Sequence, residues 1–130
     1  MTTTTEVNHA AANAAAWCET IIDQLARLKA ACHDSDDAYE TARQEIQESP
    51  LELSVRSHWA PPGAQLEPAE FCILLSTGGP ALRIVGQLGR FGCPEDSRMQ
   101  YQDWGTPWTD YRAIGSAVLD SWAAQFYWGD

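Results

Sequence analysis

Glu70-Phe71-Cys72-Ile73-Leu74-Leu75-Ser76, Thr77-Gly78-Gly79-Pro80, Ala81-Leu82-Arg83-Ile84-Val85-Gly86-Gln87-Leu88 is the stretch on which the fold turns. Two apolar runs of strand length flank a Gly-Gly-Pro punctuation, which is the pattern of a β-hairpin. Phe71, Ile73 and Leu75 share one face at period two, as do Leu82, Ile84 and Leu88 in the second run. Cys72 and Leu74 make the other face of the first run apolar as well, as expected of a central strand or one covered on both sides. The turn is no phosphate loop: it lacks the glycine spacing of one and leads into a strand rather than a helix.

Outward from the hairpin, more strands are expected. Leu51-Glu52-Leu53-Ser54-Val55-Arg56-Ser57 alternates strictly and predicts a half-buried strand. Pro61, Pro62 and Gly63 make the stretch from His58 to Glu67 a loop. On the far side, Gly89–Ser97 is a connection and Arg98–Trp104 a fourth strand, with Met99 and Tyr101 on one face and Arg98, Gln100 and Gln102 on the other. Connections this short favour an antiparallel meander.

Helices are expected at both ends. From Glu6 to about His33, Trp17, Ile21, Leu25, Leu28 and Cys32 recur at steps of three and four, with Ile22 widening the stripe. Thr5 is a candidate N-cap. The segment His33-Asp34-Ser35-Asp36-Asp37 predicts a break and a second helix from Ser35 to Glu48, with Tyr39, Ala42 and Ile46 inward and Pro50 as the stop. One continuous helix is the competing reading, since neither Gly nor Pro interrupts it. At the other end Thr106 and Pro107 fit the N-cap and first position of a last helix. Its stripe would be Tyr111, Ile114, Val118, Trp122 and Phe126, broadened by Leu119 and Tyr127, and Gly129 would end it. The fold class is therefore α+β: two N-terminal helices or one long one, a four-stranded antiparallel meander sheet, and a C-terminal helix packed on it. A single domain over 1–130 comprises a flexible tail 1–5, a helical part 6–48, a sheet 51–104 and a C-terminal helix 107–127.

Composition narrows the function. The 130 residues are 45% apolar with six Trp, enough for a core and unlike a disordered chain. A net charge of -10, from 18 acidic and 8 basic residues, excludes direct binding to nucleic acid or anionic lipid and favours basic partner surfaces. It serves solubility equally well. No apolar run approaches the roughly 20 residues of a membrane span. Cys18, Cys32, Cys72 and Cys93 contain no close pair of the zinc-binding kind. Met1–Thr5 opens no signal peptide, so reduced, mostly buried thiols in a cytosol are expected. Cys18 and Cys32 would share a helical face but lie about 21 Å apart, too far to bond.

Little here points to catalysis. His58, beside Trp59, is the best candidate base, with Cys93 or Asp103 as residues that could approach it, but nothing in the spacing brings them together. Asp103 lies between aromatics and suits a local backbone cap at a turn. No catalytic residue, metal ligand or cofactor is expected. Two features suggest binding. Asp34, Asp36, Asp37, Glu40, Glu45 and Glu48 form an acidic helix face, suited to a basic partner or simply to solvent. Trp104 and Trp108 flank a Gly-Thr-Pro turn that would make an aromatic anchor.

Leu51–Ser57, Phe71–Thr77 with Gly78–Gly86, and Tyr101–Tyr111 resemble small accessory proteins of bacteriophages, prophages and integrative elements. Tyr101-Gln102-Asp103-Trp104-Gly105-Thr106-Pro107-Trp108-Thr109 is the most specific piece. The resemblance implies a mobile-element accessory protein in a bacterial cytoplasm and brings no catalytic residues with it. In size and charge the chain is also similar to anti-CRISPR proteins. The expected partner is then a host complex with a basic nucleic-acid-binding surface, such as a CRISPR effector subunit, met by the acidic face. The alternative is a protein-binding or self-associating module, a homodimer included, that uses the Trp104–Trp108 turn.

Overall fold

A computed structural model describes residues 9–77, 80–103 and 106–128, with Arg90 by its backbone alone. Among the described residues, three α-helices lie on one face of a five-stranded antiparallel sheet. In chain order these are α1 (His9–Ala31), α2 (Asp36–Gln47), β1 (Glu52–Arg56), β2 (Glu70–Ser76), β3 (Ala81–Leu88), β4 (Pro94–Gln102), β5 (Thr109–Tyr111) and α3 (Ser116–Ala123). The strands follow one another in space as β1-β2-β3-β4-β5, every neighbour antiparallel, which is the expected meander with one more strand. The tail 1–5, with Thr5, lies outside the described residues, as do Glu6, Gly78, Gly79, Trp104, Gly105 and Gly129.

The helical break is real. Ser35 sits in extended backbone and its Oγ accepts from the Ala38 amide at 3.1 Å, capping α2, so the single long helix is excluded. Asp36 and Asp37 occupy the first turn of α2, where negative charge suits the helix dipole. Ile46, fully buried, is the knob by which α2 packs on α1. Truncating it to Ala should cost about 2–5 kcal/mol.

The apolar stripe of α1 is narrower than its composition suggests. Ala10, Ala14, Cys18, Ile21 and Leu28 are buried, while Ile22 is 53% exposed and widens nothing. Helix α1 ends at Ala31, so Cys32 falls in the following turn and is exposed rather than inward. The core face of the sheet carries Phe71, Ile73, Leu75, Leu82, Ile84, Leu88 and Met99, and α1 and α3 close over it.

Two strands depart from expectation. β1 forms over nearly the predicted residues, but every one of them is exposed, not half-buried: it is an edge strand that the helices do not cover. β4 begins at Pro94, four residues early, and a bulge lets Gln87 pair with Glu95 after Val85 has paired with Arg98. At the bulge Asp96 has φ 54° and Ser97 is buried, its amide and hydroxyl both donating to the Asp120 carboxylate of α3. Gly86 lies opposite, and a Cβ there would meet the Phe71 ring at 2.7 Å.

The largest correction is at the C-terminus. Thr106 and Pro107 do not begin a helix. Thr106 closes a tight turn onto Asp103 instead, its Oγ1 donating to the Asp103 carbonyl at 2.9 Å and accepting the Asp103 amide at 3.0 Å. Thr109–Tyr111 then pairs with Met99–Tyr101 as β5, and α3 waits until Ser116, after Gly115. Leu119, Trp122 and Phe126 are buried as expected, and Trp128 joins them against Phe71 with ring centroids 4.9 Å apart. Tyr127 is 75% exposed and does not belong to the stripe.

Candidate functional site

Because all three helices cover one face, the other face of the sheet is open. It presents Ser54 and Arg56 from β1, Glu70 and Cys72 from β2, Arg83 and Val85 from β3, and Arg98 and Gln100 from β4, side by side through the register. These residues line a concavity of about 600 Å³. In an acidic protein, it is notable for three arginines.

Two of the three are held by hydrogen bonds. Arg56 grips Glu70 through two hydrogen bonds, Nε to Oε2 at 2.9 Å and Nη2 to Oε1 at 3.0 Å. This bond and the adjacent charge hold the Glu70 carboxyl below the usual carboxylate range and raise the Arg56 guanidinium further. Arg83 donates to Gln100 Oε1 at 2.9 Å and lies over the Trp108 ring, 4.0 Å from its centroid. Gln100 in turn donates to Asp110 at 2.9 Å, and Arg98 and Arg112 approach the same carboxylate at 3.9 and 3.8 Å. Between these side chains, burial pushes the Cys72 thiol up, with Arg83 pulling weakly the other way. A raised thiol beside satisfied arginines is no activated nucleophile. The thiol expectation holds only in part: Cys18 is buried and Cys72 half-buried, but Cys32 and Cys93 are exposed. All four are free thiols.

Asp34, Asp36, Asp37, Glu40, Glu45 and Glu48 are all exposed, Asp34 in the turn before the Ser35 cap, Glu48 at the C-cap and the others along α2, on the helical side of the molecule. Glu45 accepts from Arg27 at 3.0 Å and Glu48 from Gln44 at 3.1 Å. Asp34, Asp36, Asp37 and Glu40 make no ion pair among the described residues. The structure thus brings the six together, and divides them into an engaged C-terminal part and an unengaged N-terminal part.

Trp108 is half-buried with Arg83 over its ring, and Trp104 lies outside the described residues. His58 and Trp59 are exposed in the loop after β1, Trp59 completely. His58 stands near Glu70. Asp103 follows β4 at the opposite end of the sheet, and Cys93 precedes β4, three strands across from β1, so the register does not gather the three. Asp103 serves the turn with Thr106, as its sequence context suggested.

Sequence reasoning missed the open face, though its signal was present. The alternating partners of the apolar positions were Arg56, Cys72, Arg83, Arg98 and Gln100, but only the register places them together. It also missed the exposed apolar residues around β1: Leu51, Leu53, Val55, Trp59 and Leu66. Among the described residues no helix is long and apolar enough to cross a membrane, and no group of three or more His, Cys, Asp or Glu is placed to hold a metal ion. Comparison with protein-family models, with curated proteins and with solved structures finds no match.

Proposed function

We propose that the protein is a non-catalytic interaction protein that sets the acidic face of α2 against a basic, nucleic-acid-binding surface of a partner protein. The observation that supports this reading is the exposed cluster Asp34, Asp36, Asp37 and Glu40, which has no ion pair among the described residues, while Arg56, Arg83 and Arg98 collect on the opposite side of the sheet. Like charges one turn apart cost a few tenths of a kcal/mol each in the isolated helix. Contact with lysines and arginines would remove that cost and speed encounter. The resemblance to mobile-element accessory proteins makes a host defence complex in the bacterial cytoplasm, such as a CRISPR effector, the first partner class to test.

Tagged protein is used to capture partners from a nuclease-treated lysate of a host with an active CRISPR system, beside the triple variant Asp36→Lys, Asp37→Lys, Glu40→Lys. The reading expects a basic effector subunit that the wild type retains at low salt, that high salt releases, and that the variant does not capture. Capture by the variant equal to wild type overturns it.

A second reading, an aromatic anchor, is favoured by the way Arg83 clamps Trp108 on the open face. There Trp108→Ala removes capture, salt has little effect, and the triple variant binds normally.

A further inference from the structure

β1 is an exposed edge of the sheet, and it lacks two of the usual protections of an edge, a bulge and a proline. Its five residues run in regular register with β2, with no bulge and no proline. Its side chains toward the core face, Leu53 and Val55, are 39% and 45% exposed, and Leu51 just before it is 61% exposed. Natural edge strands avoid this combination because unpaired backbone beside apolar side chains recruits another strand. The opposite edge, β5, is only three residues long.

The sequence of β1 states which strand would fit. In Glu52-Leu53-Ser54-Val55-Arg56, charges of opposite sign stand two residues either side of Ser54, and apolar residues one either side. We propose that a second copy of this chain adds to the edge, antiparallel, about a two-fold axis through Ser54. Glu52 of each copy then faces Arg56 of the other on the open face, and Leu53 faces Val55 on the core face. The isologous contact makes each pair twice, and the two sheets become one continuous sheet with both helical layers on the same side.

The alternatives fit worse. Parallel addition in the same alignment sets Glu52 against Glu52 and Arg56 against Arg56, which is repulsive. Sliding the antiparallel register by two residues in either direction sets both charges opposite uncharged residues or beyond the strand. A slip of one places the apolar pair opposite polar residues and turns the helical layers to opposite sides. Arg56 already holds Glu70, but its side chain remains 77% exposed, so the guanidinium can bridge both carboxylates.

The test is the oligomeric state of the full chain by sedimentation over a concentration series. It uses wild type, Glu52→Arg, Arg56→Glu, and an equimolar mixture of the two variants, each checked by circular dichroism. The wild type should show a concentration-dependent dimer. Each variant alone places like charges in both pairs and should raise the dimer dissociation constant by roughly tenfold or more. In a mixed dimer, two arginines of one variant face two glutamates of the other, so both pairs are attractive again and the mixture should dimerise. A wild type that stays monomeric at every concentration overturns the proposal. So does a Glu52→Arg dimer as stable as wild type, or a mixture of folded variants that stays monomeric.

Discussion

At the scale of single residues, long-range polar contacts tie the helical layer together. Trp122 Nε1 donates to Gln24 Oε1 at 2.9 Å, and Gln24 Nε2 donates to Ser49 Oγ at 3.0 Å, linking α3, α1 and the end of α2. Gln24 is only 8% exposed, so removing one partner strands a buried polar group. Trp122→Phe should lose about 2–4 kcal/mol in urea unfolding, combining lost packing with the orphaned Gln24 oxygen. Adding Gln24→Met should recover part of that loss, and two strictly additive losses would show the bond to be unimportant. The cysteines give a second residue-scale prediction. Cys32 and Cys93 should label quickly with a thiol reagent in the native state, and Cys18 only on unfolding. Cys72, its thiol held up by burial, should label slowly and speed up only at higher pH than an ordinary cysteine. Equal rates for all four would contradict the burial pattern. At this scale the sequence was legible where the cause is local. Ser35 was readable as the start of α2 because Asp and Ser around it compete for nearby backbone amides. Gln24 carries no such local signal, since the Trp122 indole that donates to it lies 98 positions away.

At the scale of elements, legibility depended on whether an element stands on its own pattern or on its neighbour. β2 and β3 were read to the residue, because their alternation and the turn between them are properties of the segment itself. β5 is masked in the sequence because Tyr111, Ile114, Val118 and Trp122 fall at helical spacing. Three residues of strand carry no period, and Thr109–Tyr111 is a strand only through its pairing with β4. Gly115 was the missed sign, a poor helix interior residue that proved to be the N-cap. β1 was readable as a strand but not as an edge, since alternation reports a face and not whether anything covers it. α2 bears on the functional test. Asp36 and Asp37 stabilise its N-terminus through the helix dipole, by about 0.3–1 kcal/mol each. Their reversal to lysine should therefore lower the melting temperature modestly while leaving a single cooperative transition. A broad or absent transition in the triple variant would make its binding result uninterpretable, and the neutral pair Asp34→Asn, Glu40→Gln would then carry the test. Ser35→Ala should cost about 1 kcal/mol in the same measurement by removing the cap.

At the scale of the whole molecule, the net charge of -10 was plain in the composition, but its division between layers was not. Acidic residues gather on α2, and Arg56, Arg83 and Arg98 gather on the open sheet, where Glu70 binds Arg56, Gln100 binds Arg83 and Asp110 lies near Arg98. Two electrostatic effects of opposite sign follow. Repulsion among unpaired carboxylates acts over a long range and is screened once the Debye length falls to about 10 Å, near 0.1 M salt. The close pairs, Arg27 with Asp23 and Glu45 and Arg56 with Glu70, are screened less. Added salt at pH 7 should therefore raise the melting temperature, and a fall would mean that the local pairs outweigh the repulsion. Acid tests the Arg56–Glu70 pair directly. Glu70 has a depressed carboxyl pKa in the folded protein, so its contribution is present above the unfolded carboxylate pKa and is lost as pH falls through the folded value. Stability should accordingly fall in acid as Glu70 takes up its proton. Arg56→Met removes what holds Glu70 low, so the acid limb of its curve should begin at higher pH than in wild type. Melting curves by circular dichroism at low salt, across a pH series, decide the matter. Superimposable acid limbs for the two proteins would show that the Arg56–Glu70 grip, though well formed, contributes nothing to the folded state that water does not supply equally.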